Sequence, residues 1–399
     1  MAQEFVSNSA LSSGTWHKIK IIEEGIYRID YEQLEELGLQ PGQEIGIYNN
    51  NFGILSYFNA DEKPDDLEKT AIHIERGQDG VFNNGDYILF YGNSTHRWKY
   101  SETDSRYYFA RHHYSDTAVY FLKLNDTPVE IQLSDVTTQA DYFSEASDLL
   151  IRHESEDENI LKSGREWYEA LAPGVAKEIT HNLGNYNVVA GTFPEYKMRV
   201  LARSQDQSVI RFNIDGETIS SVPVNGINIF NTAGTYARAV TDSGLIETLT
   251  ASPSMNINFH NNGNPSARGW LDYLNIEAKV RNEFYSPVDQ HFIIRDKAST
   301  GPGTVTEFSI NTDMQDLNIW DITDHMRIKR VKYDYSQSTC TFRARTDSLK
   351  KFIVFTHDNV INPRIVKEPV SNQNIHAYRE ADMIIISHPD FTTYAGEIK

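Results

Sequence analysis

Ala381-Asp382-Met383-Ile384-Ile385-Ile386-Ser387-His388-Pro389-Asp390-Phe391 is the stretch from which the rest of the chain is read. It holds four consecutive apolar residues, three of them β-branched, closed by Ser-His-Pro. A short apolar run without alternation suits a strand buried on both faces, as in a parallel α/β sheet. Thr392 to Lys399 then reads as the start of a helix. Residues 381–399 therefore predict the opening of an α/β domain. What precedes them reads mostly as antiparallel β, so the chain is expected to be the front part of a longer polypeptide.

Working outward from that stretch, 359–380 carries Pro363 and Pro369 and reads as a connector. Residues 164–358 are a succession of short strands. Asp215-Gly216 sits between Val209 to Ile214 and Glu217 to Ile219, a hairpin signature. Met255-Asn256-Ile257-Asn258-Phe259-His260 alternates cleanly. Many short strands at regular spacing predict a jelly-roll-like β-sandwich. Periodicity leaves open whether 286–358 completes that sandwich or forms a unit of its own. Residues 140–163 are polar, with Glu154-Ser155-Glu156-Asp157-Glu158 at their centre, and read as an acidic linker. Residues 1–139 read as a β-rich N-terminal domain with one short helix. Asp30 is the expected N-cap, Gln33 its capping-box partner, and Gly38 the stop. Tyr107 to Arg111 and Ala118 to Leu122 read as a strand pair.

The totals agree with a globular, strand-rich chain. At 399 residues it exceeds a single core, and it carries 22 Tyr and 19 Phe. The formal net charge of −19 argues against a nucleic-acid partner, because such a surface repels phosphate. One cysteine, Cys340, permits neither a disulfide framework nor a thiolate metal cage. No run is long and apolar enough to span a membrane as a helix. Met1-Ala2-Gln3-Glu4-Phe5 has no signal-peptide character.

Few residues invite chemistry. No phosphate loop, dinucleotide fingerprint or His-Glu-x-x-His occurs. Cys340 lacks a signature around it and reads as a small buried strand residue. His112-His113 suggests half a metal site, but neighbours in a strand point to opposite faces. Glu154 to Glu158 lacks the glycine-punctuated spacing of a calcium loop and reads as a solvated charged segment. Trp167, Tyr168, Trp270 and Tyr273 would suit a sugar-stacking platform or, more simply, aromatic core anchors. His388 falls at the carboxyl end of the expected parallel strand, where α/β ligand sites occur. From these residues no catalytic, cofactor-binding or metal-ligating position is assigned, and no cofactor is expected.

Ser12-Ser13-Gly14-Thr15-Trp16-His17-Lys18-Ile19 followed by Gly25-Ile26-Tyr27-Arg28-Ile29-Asp30-Tyr31-Glu32-Gln33-Leu34 resembles the start of the mature PorU-like type IX secretion sortases. Asp86 to Gly92, Ser163 to Tyr168, Gly269 to Tyr273 and Ile319 to Asp324 are similar to further landmarks of that family. Asn372 to Ala377 and then Ala381 to Phe391 resemble the entry to its gingipain-like (C25-type) cysteine peptidase domain. The resemblance runs in order over nearly the whole chain. It implies a surface protein of Bacteroidetes that removes C-terminal sorting domains from secreted cargo and attaches that cargo to lipopolysaccharide. It also implies an outer-membrane location and a membrane-embedded barrel protein as anchor. The family's catalytic pair, a His in a His-Gly context and a Cys after later strands, has no counterpart here. The chain is therefore expected to be a catalytically inert N-terminal region. The rival expectation is a carbohydrate-binding or adhesion β-sandwich module of a Bacteroidetes surface protein.

Overall fold

The computed structural model describes residues 5–50, 53–61, 63–181, 186–250, 252–285, 291–357, 359–378 and 380–398. Residues 286–290, where the sequence leaves a further unit's start open, lie outside them, as does Lys399. The chain is mostly β, as its composition predicts. It divides into two compact units. One comprises Met1–Thr95, Ser115–Glu130 and Asn362–Lys399; the other comprises His96–Tyr114 and Ile131–Ile361.

The first unit is built from a five-stranded and a four-stranded sheet. The five-stranded sheet runs Arg364–Val366, Trp16–Ile21, Ala118–Leu124, Ile45–Asn49, Glu68–Lys69. The other runs Val129–Glu130, Ala71–Glu75, Tyr87–Gly92, Gly25–Asp30. Ala118, Tyr120, Leu122 and Leu124 are buried at every second position, the signature of a strand with one face in a core. Phe90 of one sheet meets Tyr120 of the other with ring centroids 6.0 Å apart. The helix Tyr31–Glu35 starts at Asp30, whose N–H donates to Gln33 Oε1 at 3.0 Å, so the predicted capping box forms.

Two expectations change here. Ala118–Leu124 does not pair with the Tyr107 region; it pairs with Trp16–Ile21 and Ile45–Asn49, because its alternate apolar residues complete that core. Within the expected connector, Arg364–Val366 forms the edge strand beside Trp16–Ile21, with Ile365 opposite Ile19. Val370 N–H then donates to Trp16 O at 2.7 Å. The Asn372 amide donates to Leu11 O at 3.1 Å and Gly14 O at 3.0 Å.

The second unit contains two face-to-face sandwiches and a hairpin among its described residues. In one sandwich, Ala146–His153, Arg268–Arg281, Glu195–Arg203 and Arg238–Leu245 form a sheet to which Glu169–Leu171 also pairs. It faces Ala176–Ile179, Met255–His260, Ser208–Ile214 and Glu217–Val224 across a core that includes Met198, Val200, Phe212, Ile257, Phe259 and Leu271. Asp215 and Gly216 take φ of 51° and 85° in the two-residue turn that pairs Ile214 with Glu217, the conformation the Asp-Gly signature requires.

In the other sandwich, strands from Phe292 onward join Gln132–Ser134 and Tyr142–Ser144 around a second core. Gln132–Ser134, Lys329–Val331, Asn318–Asp321, Phe352–Phe355 and Phe292–Ile294 face Tyr142–Ser144, Val305–Asn311, Thr339–Arg345 and Asp334–Ser336. Phe308, Ile310, Ile319, Phe342 and Phe352 fill the space between them. Residues 140–163 hold strands rather than a free linker. Tyr142–Ser144 adds in parallel beside Val305–Asn311, and Ala146–His153 pairs along Arg268–Arg281.

Met383–Ile386 forms no strand: Ile384 is 80% and Ile386 94% exposed. A strand exists only through hydrogen bonds to a neighbour, and these residues have no sheet partner among those described. The start of a helix predicted after it appears as the single turn Thr392–Gly396.

Candidate functional site

The densest chemistry in the described residues lies on the outer face of the sheet containing Arg268–Arg281, where the inward alternation of its apolar residues turns the charged ones outward. Arg111 follows the hairpin made of Arg97–Ser101 and Arg106–Ala110. Its Nη1 lies 2.8 Å from Glu154 Oε1 and also bonds Glu156. Arg152 Nε bonds Glu154 Oε2 at 2.8 Å, and Arg152 Nη1 donates to Asn275 Oδ1 at 2.8 Å. The Arg152 guanidinium lies 4.5 Å from the ring centroids of both Phe109 and Tyr273, a double cation–π contact. Arg199 bonds Asp272 and reaches Glu166 at 3.4 Å. The Tyr168 hydroxyl donates to Glu166 Oε2, and the Trp270 indole to Glu158 Oε2, both at 2.8 Å.

The electrostatics follow from this geometry. Burial works to raise Glu154, but Arg152 and Arg111 outweigh it and hold the carboxyl below its ordinary range. Burial pushes Glu156 up to about 7; Arg111 opposes the rise, and the Glu154 charge adds to it. Asp272 is also raised by burial, against the pull of Arg199. Chemically, the cluster fastens chain to chain: each carboxylate named is occupied by a donor from another segment.

A second network lies at the turn end of the hairpin. Lys279 Nζ bonds Asp148 at 2.8 Å and Asp296 at 2.6 Å, and the Tyr107 hydroxyl donates to Asp148 at 2.9 Å. Asp148 is buried and satisfied by three donors, the third being Lys297 N–H at 2.9 Å. Burial first, then Asp148, raises the Tyr107 hydroxyl far above its usual range. Toward the other end of Arg268–Arg281, buried Glu169 holds His153 at 2.7 Å and also Lys177. His181 is lowered by burial and by His153.

The residues singled out from the sequence scatter. Cys340 is fully buried between Ile310 and Tyr335 on the neighbouring strands, and burial with the nearby Asp334 pushes its thiol up to about 12. That environment suppresses thiolate. His112 and His113 lie beyond the end of the strand Arg106–Ala110, and His112 N–H donates to His96 Nδ1 at 3.0 Å. Among the described residues no group of three His, Cys, Asp or Glu side chains is placed to hold a metal ion. Glu154 to Glu158, read as solvated, is instead clamped by Arg111, Arg152 and Trp270, because three segments deliver donors to it. Tyr168 and Trp270 are buried anchors, Tyr273 stacks on Arg152, and Trp167 keeps 38% exposure, so the four make no shared platform. His388 is exposed, and its Nδ1 accepts from Asp390 N–H at 3.3 Å. Arg111, Arg152, Arg199 and Asp272 were not singled out by the sequence. Alternation marks Arg199 as outward-facing, but nothing local marks its partner, 73 residues away.

No protein-family model matches this chain, and no curated protein matches it. Among solved structures, the fold is that of dimeric latent PorU from Porphyromonas gingivalis, with a TM-score of 0.77 at 18% identity. The likeness covers 94% of this chain and 35% of the PorU chain, so this chain spans about a third of that protein's length. The CBM36-1 domain of a multidomain xylanase from the hindgut metagenome of Trinervitermes trinervoides is similar to 33% of this chain, at 14% identity and a TM-score of 0.22; the chain covers 96% of that domain. The class that the fold defines is thus a mostly β, multi-sandwich chain of PorU-like architecture.

Proposed function

We propose that this chain is the non-catalytic N-terminal region of a gingipain-like cysteine endopeptidase that serves type IX secretion at the outer surface of a Bacteroidetes cell. The observation that carries the reading is the fold shared with latent PorU over nearly the whole chain. The ordered landmarks from Ser12 to Phe391 support it. In this reading the whole protein removes C-terminal sorting domains from cargo and joins the cargo to lipopolysaccharide, with an outer-membrane barrel protein as anchor. The β-sandwiches support the peptidase domain or contact the secretion machinery, and Cys340 takes no part in catalysis.

The test is deletion of the segment encoding residues 5–378 in the cell that makes the protein. Cargo that accumulates with its sorting domain uncleaved is the expected result. Cargo processed and surface-attached at the normal level would overturn the reading.

A further inference from the structure

Two carboxylates two residues apart, Glu154 and Glu156, converge on the same nitrogen of Arg111. Around them the sheet presents Asp272, Tyr273 and Asn275 from Arg268–Arg281, Arg199 from Glu195–Arg203, and Arg152 from Ala146–His153. The segment that follows presents Glu158, Glu166 and Tyr168, with Glu158 taken by the Trp270 indole. His153 faces Glu169 instead. The three guanidiniums of Arg111, Arg152 and Arg199 thus meet four carboxylates, Glu154, Glu156, Asp272 and Glu166. With Glu158, whose partner is the neutral Trp270 indole, the fully ionised cluster carries an excess of negative charge. One added proton reduces that excess.

We infer that the joint between Arg111, at the base of the hairpin, and the segment Glu154 to Glu158 is a proton-locked clasp, closed when Glu154 and Glu156 share one proton and loosened when both are ionised. The geometry supplies the reason. A protonated Glu156 relieves the repulsion between the two carboxylates while both remain on Arg111. Burial raises Glu156 to about 7, so the change falls near neutral pH. Its folded value lies above that of an ordinary carboxylate. The stabilisation is therefore complete at acid pH and is lost as pH rises toward and through neutrality. What loosens is the cover over the small apolar cluster of Tyr168, Leu201 and Trp270, against which Ile160 packs.

The experiment is hydrogen exchange of the whole chain at pH 5.5 and pH 8.5, corrected for the intrinsic exchange rate. In the unaltered protein, protection of 111–114 and 154–160 should fall by about tenfold at the higher pH relative to the sandwich cores. Glu156→Gln keeps an acceptor for Arg111 and removes the second charge, and it should hold protection nearly constant. Equal protection of the unaltered protein at both pH values would overturn the clasp, as would the same pH response in Glu156→Gln. If that variant fails to fold, the carboxyl carbon of Glu156 can be titrated by NMR in the unaltered chain. A midpoint near neutrality supports the clasp, and a midpoint in the ordinary carboxylate range overturns it.

Discussion

Cys340 illustrates how one residue's surroundings decide its chemistry. It is the second residue of Thr339–Arg345 and has no exposed surface, packed among Phe308, Ile310 and Phe342. Read from the sequence as a small buried strand residue, Cys340 leads to the expectation that Cys340→Ser costs little. The apolar neighbours change that expectation, because a serine hydroxyl there leaves water for an apolar site. Cys340→Ser should destabilise by roughly 1–3 kcal/mol, read as a shift in denaturant midpoint, while Cys340→Ala should cost less. Serine and alanine variants of equal stability would show that the site offers the hydroxyl a partner. Glu154 gives the second prediction at this scale. Its folded carboxyl is held below its ordinary range, so its contribution is present above that range and is lost as pH falls through it. Thermal stability should therefore decline on the acid side, and Glu154→Gln should flatten that decline. An unchanged acid slope in the variant would mean that other carboxylates carry it.

At the scale of elements, the tail separates propensity from structure. Met383 to Ile386 has strand-forming residues, yet nothing among the described residues bonds to it, and it stays open with Ile384, Ile386, Phe391 and Tyr394 exposed. Exposed apolar chain of this kind associates edge to edge. The listener for this is light scattering at matched concentration and salt: the chain ending at Lys399 should self-associate more than one ending at Tyr378. The shorter end point retains Arg364–Val366 and the Asn372 and Asn374 contacts to residues 8–14, which hold the returning segment in place. Equal monomeric behaviour of the two chains would show that the tail is covered in solution.

Across the whole molecule, the path of the chain matters more than the order of its strands. It passes between the two compact units at 95/96, 114/115, 130/131 and 361/362. A cut at 139/140, which composition suggests, divides elements that belong together. The fragment 1–139 lacks the edge strand Arg364–Val366, and its hairpin lacks Asp148, Arg152 and Glu154. We expect that fragment to melt at a lower temperature than residues 5–378, or to remain unfolded, as followed by circular dichroism. A fragment as stable as the longer chain would mean that residues 1–139 form a self-sufficient domain.

What the sequence by itself determined is local. The capping box at Asp30 and Gln33, the Asp215-Gly216 turn and the alternating strand Met255–His260 follow from interactions within a few residues, and they fold as read. The mostly β class follows from many such segments together. The tertiary structure alone decided which strands are neighbours. It placed Ala118–Leu124 against Trp16–Ile21 and brought Arg364–Val366 back across more than 300 residues of chain to the other edge of that strand. It also turned the acidic stretch at Glu154 into a clamped joint, because Arg111, Arg152 and Trp270 bring donors to it from three segments. Pairing of this kind depends on which apolar faces must be buried against each other, and no short stretch of sequence carries that information.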